Sequence, residues 1–513
     1  MDVAVIGAGA AAVCLLDALS RQESAPGRLT VFDPSPQPWR GRPYARDLEQ
    51  VRVNLPPQQM SARHGDDAHF AGWLRSSPYG GDRYLDSRLN QPLPPRAVYG
   101  DYLEQTAEAA LAALREQGWQ VELIAARVTG ARAAADSGIV LDTDDTDETD
   151  ATGATDKTGA AAGTDGGARH TADRVVLCVG AGSPRDYYGL AGSPGFVLDP
   201  YPLADTLADV ADDAHVAVIG SGLTAVDVVA CLAARGHRGR ISLLSRGGLL
   251  PHVQQRGFPF QPKHFSRPRL LELAEQNGPL TLELLQPLFL AELAEFGEDL
   301  EQLAAEIGSA ATERPADRLR RQLDEVDSEQ RARRALVRLV RSLGPLALSL
   351  FSEPDRKELQ ETHYRVVSSL CSPMVPVNAA ILLDLHDAGQ LELVEGLRQI
   401  EPGADGGFCI DAGRGRLSAE VVVNAVNAPP YATPDQAEGL LRSLVEAGAA
   451  ELRGTGGLST EPGTGRLVVD GRADPRFLAL GDIAGTNLFI TSSIAGLVAQ
   501  TPAVAAALLA GSA

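Results

Sequence analysis

Two short apolar runs, Val-Ala-Val-Ile at 3–6 and again at 216–219, each break at a Gly-x-Gly and read on as small-residue sequence of helical character. Each predicts a buried strand, a tight turn and a helix, the first helix running through about Ser20. LTVFD at 29–33 and ISLLS at 241–245 supply a following strand in each case. The Pro-rich span from Pro34 to Pro57 predicts loop and extended chain. A helix is expected near Tyr99–Gln117, strands over VELIAARVTGARAA at 121–134, and a buried strand ending in glycine at RVVLCVGAG, 174–182. From about 265 to 361 the pattern becomes helical: Leu300, Leu303, Ala304 and Ile307 share one face, and Leu319, Leu323 and Val326 share another. Strands return at VVVNAV, 421–426, and RFLALGD, 476–482. Strand-rich, helical, then strand-rich again implies that the first domain is completed by the end of the chain.

Composition narrows the partners more than the fold. The 513 residues are 44% hydrophobic and 22% charged, as in soluble globular proteins, and are enough for two or three domains. A net charge of −21 works against nucleic acid and anionic membrane, so neither is an expected partner. Residues 142–167 hold eight acids against Lys157 and no apolar side chain larger than alanine. That predicts a disordered acidic loop, with a regulatory or metal-binding role as the alternative. The five cysteines, Cys14, Cys178, Cys231, Cys371 and Cys409, form no C-x-x-C or C-x₄-C pair. Buried, chemically quiet thiols in a reducing compartment are expected, and the paired-cysteine centre of disulfide reductases is excluded. Without a run of ~18 apolar residues to span a membrane, the expected location is cytoplasmic.

The two turns carry the chemistry. Gly7-Ala8-Gly9-Ala10-Ala11-Ala12 fits G-x-G-x-x-G/A: Gly7 makes the turn, Gly9 admits a pyrophosphate, and the small Ala12 lets helix and strand pack closely. Asp33, ending the next strand, is placed to hold a ribose hydroxyl, or simply to form a turn before Pro34. The second copy, with Gly220, Gly222 and Ala225, differs at that point: its next strand ends in Ser245-Arg246. Arginine and a hydroxyl suit a 2′-phosphate, which an acid would repel. The first site is therefore read as FAD and the second as NADPH, with Arg246 as a solvated loop cation the plainer alternative. The expected fold class is α/β, two Rossmann-like dinucleotide-binding domains with a helical insert. The boundaries are 1–205 for the first part of the FAD domain, 206–264 for the NADPH core, 265–370 for the insert that covers the active site, and 371–513 for completion of both domains.

Further segments carry a resemblance: WRGRPY (39–44), VNLPPQQMSARHGDDAHFAGWL (53–74), PPRAVYGDYL (94–103), DPYP (199–202), SRGGLLPH (245–252) and FLALGDIAG (477–485). With the two turns, they resemble an FAD/NAD(P)-binding flavoprotein family related to the flavin-dependent N-hydroxylating monooxygenases of lysine and ornithine. The resemblance implies that the strand ending at Gly180 crosses near the FAD pyrophosphate and that backbone near Val128 meets adenine. It also implies that Asp482 binds ribityl or phosphate oxygens and that Asn54, Met60 and Ser61 lie along the isoalloxazine ring, although Met60 also suits plain core. Thr491-Ser492-Ser493 would begin a helix whose N-terminus faces the flavin, or an ordinary capped helix. One departure is Ala425-Val426-Asn427, where a glycine usually ends the strand; asparagine tolerates positive φ, so the turn is expected to survive.

Other constellations fail. The histidines show no metal-ligand spacing, His252 reads as structural, and no G-x-S-x-G elbow stands out. Arg331, Arg333, Arg334, Arg338 and Arg341 read as a solvated, acid-paired helix face. The expected function is an FAD-dependent, NADPH-using monooxygenase acting with O₂ on the nitrogen of a small amine or amino acid. The alternatives are a flavin dehydrogenase or oxidase that does not need NADPH, and a redox-responsive nucleotide-binding protein without turnover. No readable motif identifies the substrate, the catalytic residues or the oligomeric state.

Overall fold

A computed structural model describes residues 1–134, 138–144, 161–162, 167–309, 312–404, 406–413, 415–429, 432–453, 456–484 and 493–510. The opening run forms strand β1 (Asp2–Ile6) and helix α1 (Ala10–Ser20). Strands β2 (Arg28–Phe32) and β3 (Gln120–Ile124) lie to one side of β1. Strand β4 (Arg174–Leu177) lies to the other. All four are parallel, in register Val3↔Leu29 and Val3↔Arg174 about the central strand. The second run repeats the arrangement. Strand β5 (Val216–Ile219) pairs with β6 (Ile241–Leu244) on one side, and β7 (Leu391–Val394) follows. On its other side it pairs with β8 (Val421–Asn424), beyond which lies the short strand Phe196–Val197, all again parallel. The last strands, β9 (Arg466–Val469) and β10 (Arg472–Ala479), return to the first sheet, where β10 lies parallel to β4.

Alternation along the strands sends side chains to two faces, and both faces of each sheet are covered. Val3 and Val5 pack with α1 and with helix α2 (Arg96–Glu116), whereas Ala4 and Ile6 face an antiparallel sheet built from Val128–Ala133, Ile139–Thr143, Ala161–Ala162 and Ala168–Ala172. In the second half, Val216 and Val218 pack with helices α3 (Leu223–Ala234) and α4 (Pro376–Asp387). Ala217 and Ile219 face the antiparallel strands Gln399–Pro402, Phe408–Ala412 and Gly415–Ala419. One continuous apolar core joins the helical faces of both sheets. The region after β6 folds into helices that include Leu300–Ser309, Pro315–Asp324 and Ala332–Leu350; the first and last contribute to small separate cores, whereas Leu319 and Leu323 of the second join the main core.

Two expectations are corrected. The acidic stretch 142–167 is ordered at its ends: Asp142 and Thr143 belong to a strand, and the Asp142 carboxylate takes hydrogen bonds from Arg132 and Arg169, which hold it below the usual carboxylate range despite the desolvation that opposes them. Ala161–Ala162 pairs with Ala168–Arg169. Residues 145–160 and 163–166 lie outside the described residues. Within the basic helix, Arg333 is 1% exposed and bonds Gln255 and Glu325, so this side chain is core, not solvated face. The turn at Asn427 survives without positive φ. The cysteines are free as expected, four of them buried and Cys409 only partly so; burial pushes the Cys178 and Cys371 thiols up to about 12. No helix among the described residues is long and apolar enough to cross a membrane.

Candidate functional site

The two glycine turns are built by matching hydrogen bonds. Gly7 N–H donates to Phe32 O at 2.8 Å, and Gly220 N–H to Leu244 O at 2.7 Å. Val13 N–H reaches back to Gly9 O, and Val226 N–H to Gly222 O, both at 3.1 Å. The crossing strand closes each turn from below, through Cys178 N–H to Ile6 O at 2.8 Å and Ala425 N–H to Ile219 O at 2.9 Å. Gly7 (φ +96°) and Gly220 (φ +106°) need the left-handed region. A Cβ on Gly7 would lie 2.4 Å from Cys178 O, and one on Gly220 would lie 3.2 Å from Ala425 O. Ala12 and Ala225 are fully buried, so the small third residue does allow close packing.

Both turns deliver a helix N-terminus that suits an anion. Helices α1 and α3 start at Gly9 and Gly222 with no acid in the first turn and, among the described residues, no side-chain cap, a geometry that offers their leading N–H groups to phosphate oxygens. Around α1, Asp33 Oδ2 accepts the Ala8 N–H at 2.6 Å and Oδ1 accepts the Ser35 N–H at 2.8 Å. The carboxylate thus forms its local turn and faces the glycine turn at once. Trp39, in the left-handed region at φ +76°, donates its N–H to Ala8 O at 2.6 Å and lays residues 39–41 across the turn. Gly180 (φ +83°) follows the crossing strand, and Gly481, beside Asp482, lies over Ala11 in the first turn of α1.

The other expected residues divide. Met60 is buried in the core on the α1 side of the first sheet. Its carbonyl accepts the Tyr99 hydroxyl at 2.8 Å. Tyr102 Oη accepts the Ala62 N–H at 2.9 Å and lies 2.8 Å from His69 Nδ1, so two buried tyrosines of α2 fix residues 60–62. The Ser61 hydroxyl is committed within its own loop to Asp66 O at 2.6 Å, whereas the half-buried Asn54 side chain makes no hydrogen bond among the described residues. Val128 sits just beyond the end of β3, on the opposite face of the sheet from α1. Ser493 caps helix α5 (Ile494–Leu509) through Gly496 N–H at 3.0 Å. Thr491 and Ser492 lie outside the described residues. At the second turn, Ser245 Oγ accepts the Gly248 N–H at 2.7 Å, and Ser221 Oγ donates to Leu249 O at 2.8 Å. Arg246 is exposed and makes no hydrogen bond or ion pair among the described residues.

Between the two turns lies a cluster that sequence reasoning missed. Asp227, on α3 five residues past Gly222, is 1% exposed. Its Oδ2 takes Arg96 Nη2 of α2 at 2.8 Å and the Tyr201 hydroxyl at 2.6 Å. Arg96 Nη1 donates to Tyr201 Oη at 3.1 Å and Nε to Arg52 O at 3.0 Å. Burial pushes the Asp227 carboxyl up, against the pull of Arg96 and the Tyr201 hydroxyl. Arg42 pairs with Asp199, and Asp47 takes the Leu203 and Ala204 N–H groups. The segments WRGRPY, PPRAVYGDYL and DPYP therefore meet as a buttress between the halves. Their only signal in the sequence was their resemblance to a family pattern.

Residues 4–155 match the FAD-NAD(P)-binding family. No curated protein matches the sequence. Among solved structures, the chain is similar to a cadaverine monooxygenase of desferrioxamine biosynthesis from Erwinia amylovora, bound to FAD (12% identity, TM-score 0.57, 99% of this chain and 94% of that one). It is also similar to L-lysine 6-monooxygenase from Pseudomonas syringae (15%, 0.55, 99% and 98%) and to ornithine N-hydroxylase from Kutzneria sp. 744 in complex with reduced FAD, NADP⁺ and L-ornithine (15%, 0.52, 99% and 98%). Across 99% of its length, the chain thus has the two-nucleotide α/β fold of these monooxygenases, and its first part matches the FAD-NAD(P)-binding family.

Proposed function

We propose that this protein is an FAD-dependent, NADPH-using monooxygenase that oxygenates the nitrogen of a small amine or amino acid. The observation that carries the reading is the pair of twin turns with unlike strand ends, Asp33 behind one and Ser245-Arg246 behind the other. The uncapped N-termini of α1 and α3 hold the two pyrophosphates by backbone N–H groups. Asp33 takes the ribose of FAD, and Asp482, next to the first turn of α1, approaches the same cofactor. Arg246, exposed and without a partner among the described residues, takes the 2′-phosphate of NADPH. Asn54, Met60 and Ser61 line the flavin, with Tyr99 and Tyr102 fixing their backbone.

When bound, FAD accepts hydride from NADPH and activates O₂, which is chemistry that side chains do not supply. The chain's own residues bind, orient and exclude water. The overall balance is R–NH₂ with O₂, NADPH and a proton giving R–NHOH, NADP⁺ and water. The similar structures named for cadaverine, lysine and ornithine support a small cationic amine as the substrate class. In the test, the FAD-loaded protein is mixed anaerobically with NADPH, and NADPH oxidation in air is then followed over a panel of amines. Rapid flavin bleaching and an amine-dependent product one oxygen heavier are expected. Flavin that stays oxidised with NADPH defeats the reading. The runner-up reading is a dehydrogenase or oxidase driven by substrate alone. It requires the amine to bleach the flavin without NADPH.

A further inference from the structure

A row of aromatic side chains runs from the first glycine turn to the surface, in a chain only 5% aromatic. It begins at Tyr44, three residues past Gly41, which packs against Gly9. The Tyr44 ring lies 4.6 Å from Tyr99, centroid to centroid, and Tyr99 lies 5.3 Å from Tyr102, its i+3 neighbour on α2. Tyr102 is 5.5 Å from Trp73 on the helix His69–Ser76, and Trp73 is 6.3 Å from Tyr79 in the loop beyond. Tyr99 and Tyr102 are fully buried, whereas Trp73 and Tyr79 are half-buried and reach solvent. Each successive pair is in packing range, so no gap separates the interior end from the outside.

Packing alone does not require this composition. The core that holds these rings is otherwise mostly aliphatic, and tyrosine and tryptophan give up an electron readily where leucine and phenylalanine do not. Oxidation of a phenol also releases its proton, so the partner of each hydroxyl matters. Tyr102 Oη lies 2.8 Å from His69 Nδ1; burial and the Arg63 charge lower the pKa of that imidazole, which leaves it neutral and open to a proton. Tyr79 Oη donates to Asp101 Oδ2 at 2.7 Å, a carboxylate base already in place. Trp73 Nε1 donates to Gln105 Oε1 at 2.8 Å. Tyr99 donates instead to the Met60 carbonyl, which takes up no proton, so an electron vacancy does not settle there.

We propose that Tyr44, Tyr99, Tyr102, Trp73 and Tyr79 form a hopping path that carries one-electron oxidising equivalents from the flavin to the surface. The path rests on the reading that FAD occupies the first turn, and on no choice of amine. An oxygen-centred radical formed beside the flavin takes one electron from Tyr44 and one proton from solvent, and leaves as the corresponding hydroxyl compound. Electrons then move inward ring by ring, each earlier ring is restored, and the vacancy ends on Trp73 or Tyr79. At Tyr79 the phenolic proton passes to the Asp101 carboxylate. A dissolved donor of the ascorbate class returns one electron and releases one proton to solvent, and Asp101 gives the phenol its proton back. The net change is one hydrogen-atom equivalent moved from donor to radical, without damage at the flavin.

The test excites the FAD-loaded full chain with blue light, so that the flavin itself takes the electron, and reads the protein radical by electron paramagnetic resonance. A tryptophan radical is expected in the unaltered chain. In Trp73→Phe, checked for bound FAD by its visible spectrum, that signal is lost and a tyrosine radical replaces it; in Tyr102→Phe it is lost as well. A tryptophan signal that persists in either variant comes from Trp39 or Trp119, or bypasses Tyr102, and overturns the proposal. Should the variants not fold, peptide mass spectrometry of the unaltered chain after repeated illumination decides. Oxygen added at Trp73 and Tyr79 is expected, and oxidation confined to Trp39 and Tyr44 overturns the path. A yellow chain without a migrating radical defeats the path alone, whereas a chain that stays colourless in excess FAD defeats the FAD reading and the path with it.

Discussion

The two halves of this molecule share one plan and differ in what the plan is left to do. Each places its glycine-turn strand between its successor and a returning strand. Each also spends an antiparallel sheet on the crossover that leads to the returning strand. The long excursions leave from the same point, after the second strand: residues 33–119 in one half and 245–390 in the other. The sheets tolerate both because a loop's closure entropy grows only logarithmically with its length. What differs lies at the strand ends. The first half has Asp33 bonded into the turn and Gly180 at positive φ after the crossing strand. The second has Arg246, without a partner among the described residues, and, at the matching position, Asn427, whose Oδ1 accepts the Thr224 hydroxyl at 3.3 Å. Duplicated backbone hydrogen bonds set the frame, and a few terminal side chains distinguish one turn from the other.

The comparison breaks most severely at the junction. Arg96→Leu strands Asp227 as a buried, uncompensated carboxylate, and a loss of about 3–5 kcal/mol in chemical denaturation is expected. Removal of the half-exposed Arg42 from Asp199 costs below about 1 kcal/mol. Equal losses contradict a buried buttress. Next come the turns themselves. Gly7→Ala drives a Cβ into the Cys178 carbonyl and adds left-handed strain, for about 2–4 kcal/mol and loss of bound FAD. Gly220→Ala meets Ala425 O less closely and costs about 1–2 kcal/mol, with FAD content intact and KM for NADPH raised. If Gly220→Ala also releases FAD, the division of labour between the halves is wrong.

Smaller effects sharpen the ligand assignment. Arg246→Ala removes one charge-assisted contact worth about 1.5–3 kcal/mol, so kcat/KM for NADPH falls roughly 10–100-fold while that for NADH hardly changes. Parallel loss with both dinucleotides makes Arg246 a general loop cation. Smallest is the exchange at the crossing strands. Gly180→Ala costs about 1–2 kcal/mol because it must hold φ +83°, and Asn427→Gly costs about 1 kcal/mol through the lost Thr224 contact and added chain entropy. Melting curves of the two variants check it; a neutral Gly180→Ala removes the backbone distinction between the halves.

What the sequence disclosed was local. Both turns, the strands that flank them and the contrast of Asp33 with Ser245-Arg246 were legible because each lies within one strand–turn–helix unit. Long-range pairing was not. Nothing near Arg96 announces Tyr201 or Asp227, more than a hundred positions away, and only folding brings them within hydrogen-bonding distance. Arg333 looked like one more solvated cation in a basic helix until Gln255 and Glu325 closed over it. Asp142 read as part of an acidic tract because its partners, Arg132 and Arg169, sit on neighbouring strands. Asn427 raised a question about its backbone that its side chain answered instead.

The return of β10 to lie beside β4 has a bearing on how the chain is made. On the ribosome, Leu177 emerges long before Ala479, its neighbour in the sheet, and at bacterial or eukaryotic elongation rates the gap lasts on the order of tens of seconds. Throughout that interval the N-terminal sheet carries a raw lateral margin, and Arg174 awaits the carbonyls of Ala507, Leu508 and Ala510 that will eventually seat its guanidinium. The first sheet is therefore completed only once β10 and α5 have been made, and α5 is the element that finally seats Arg174.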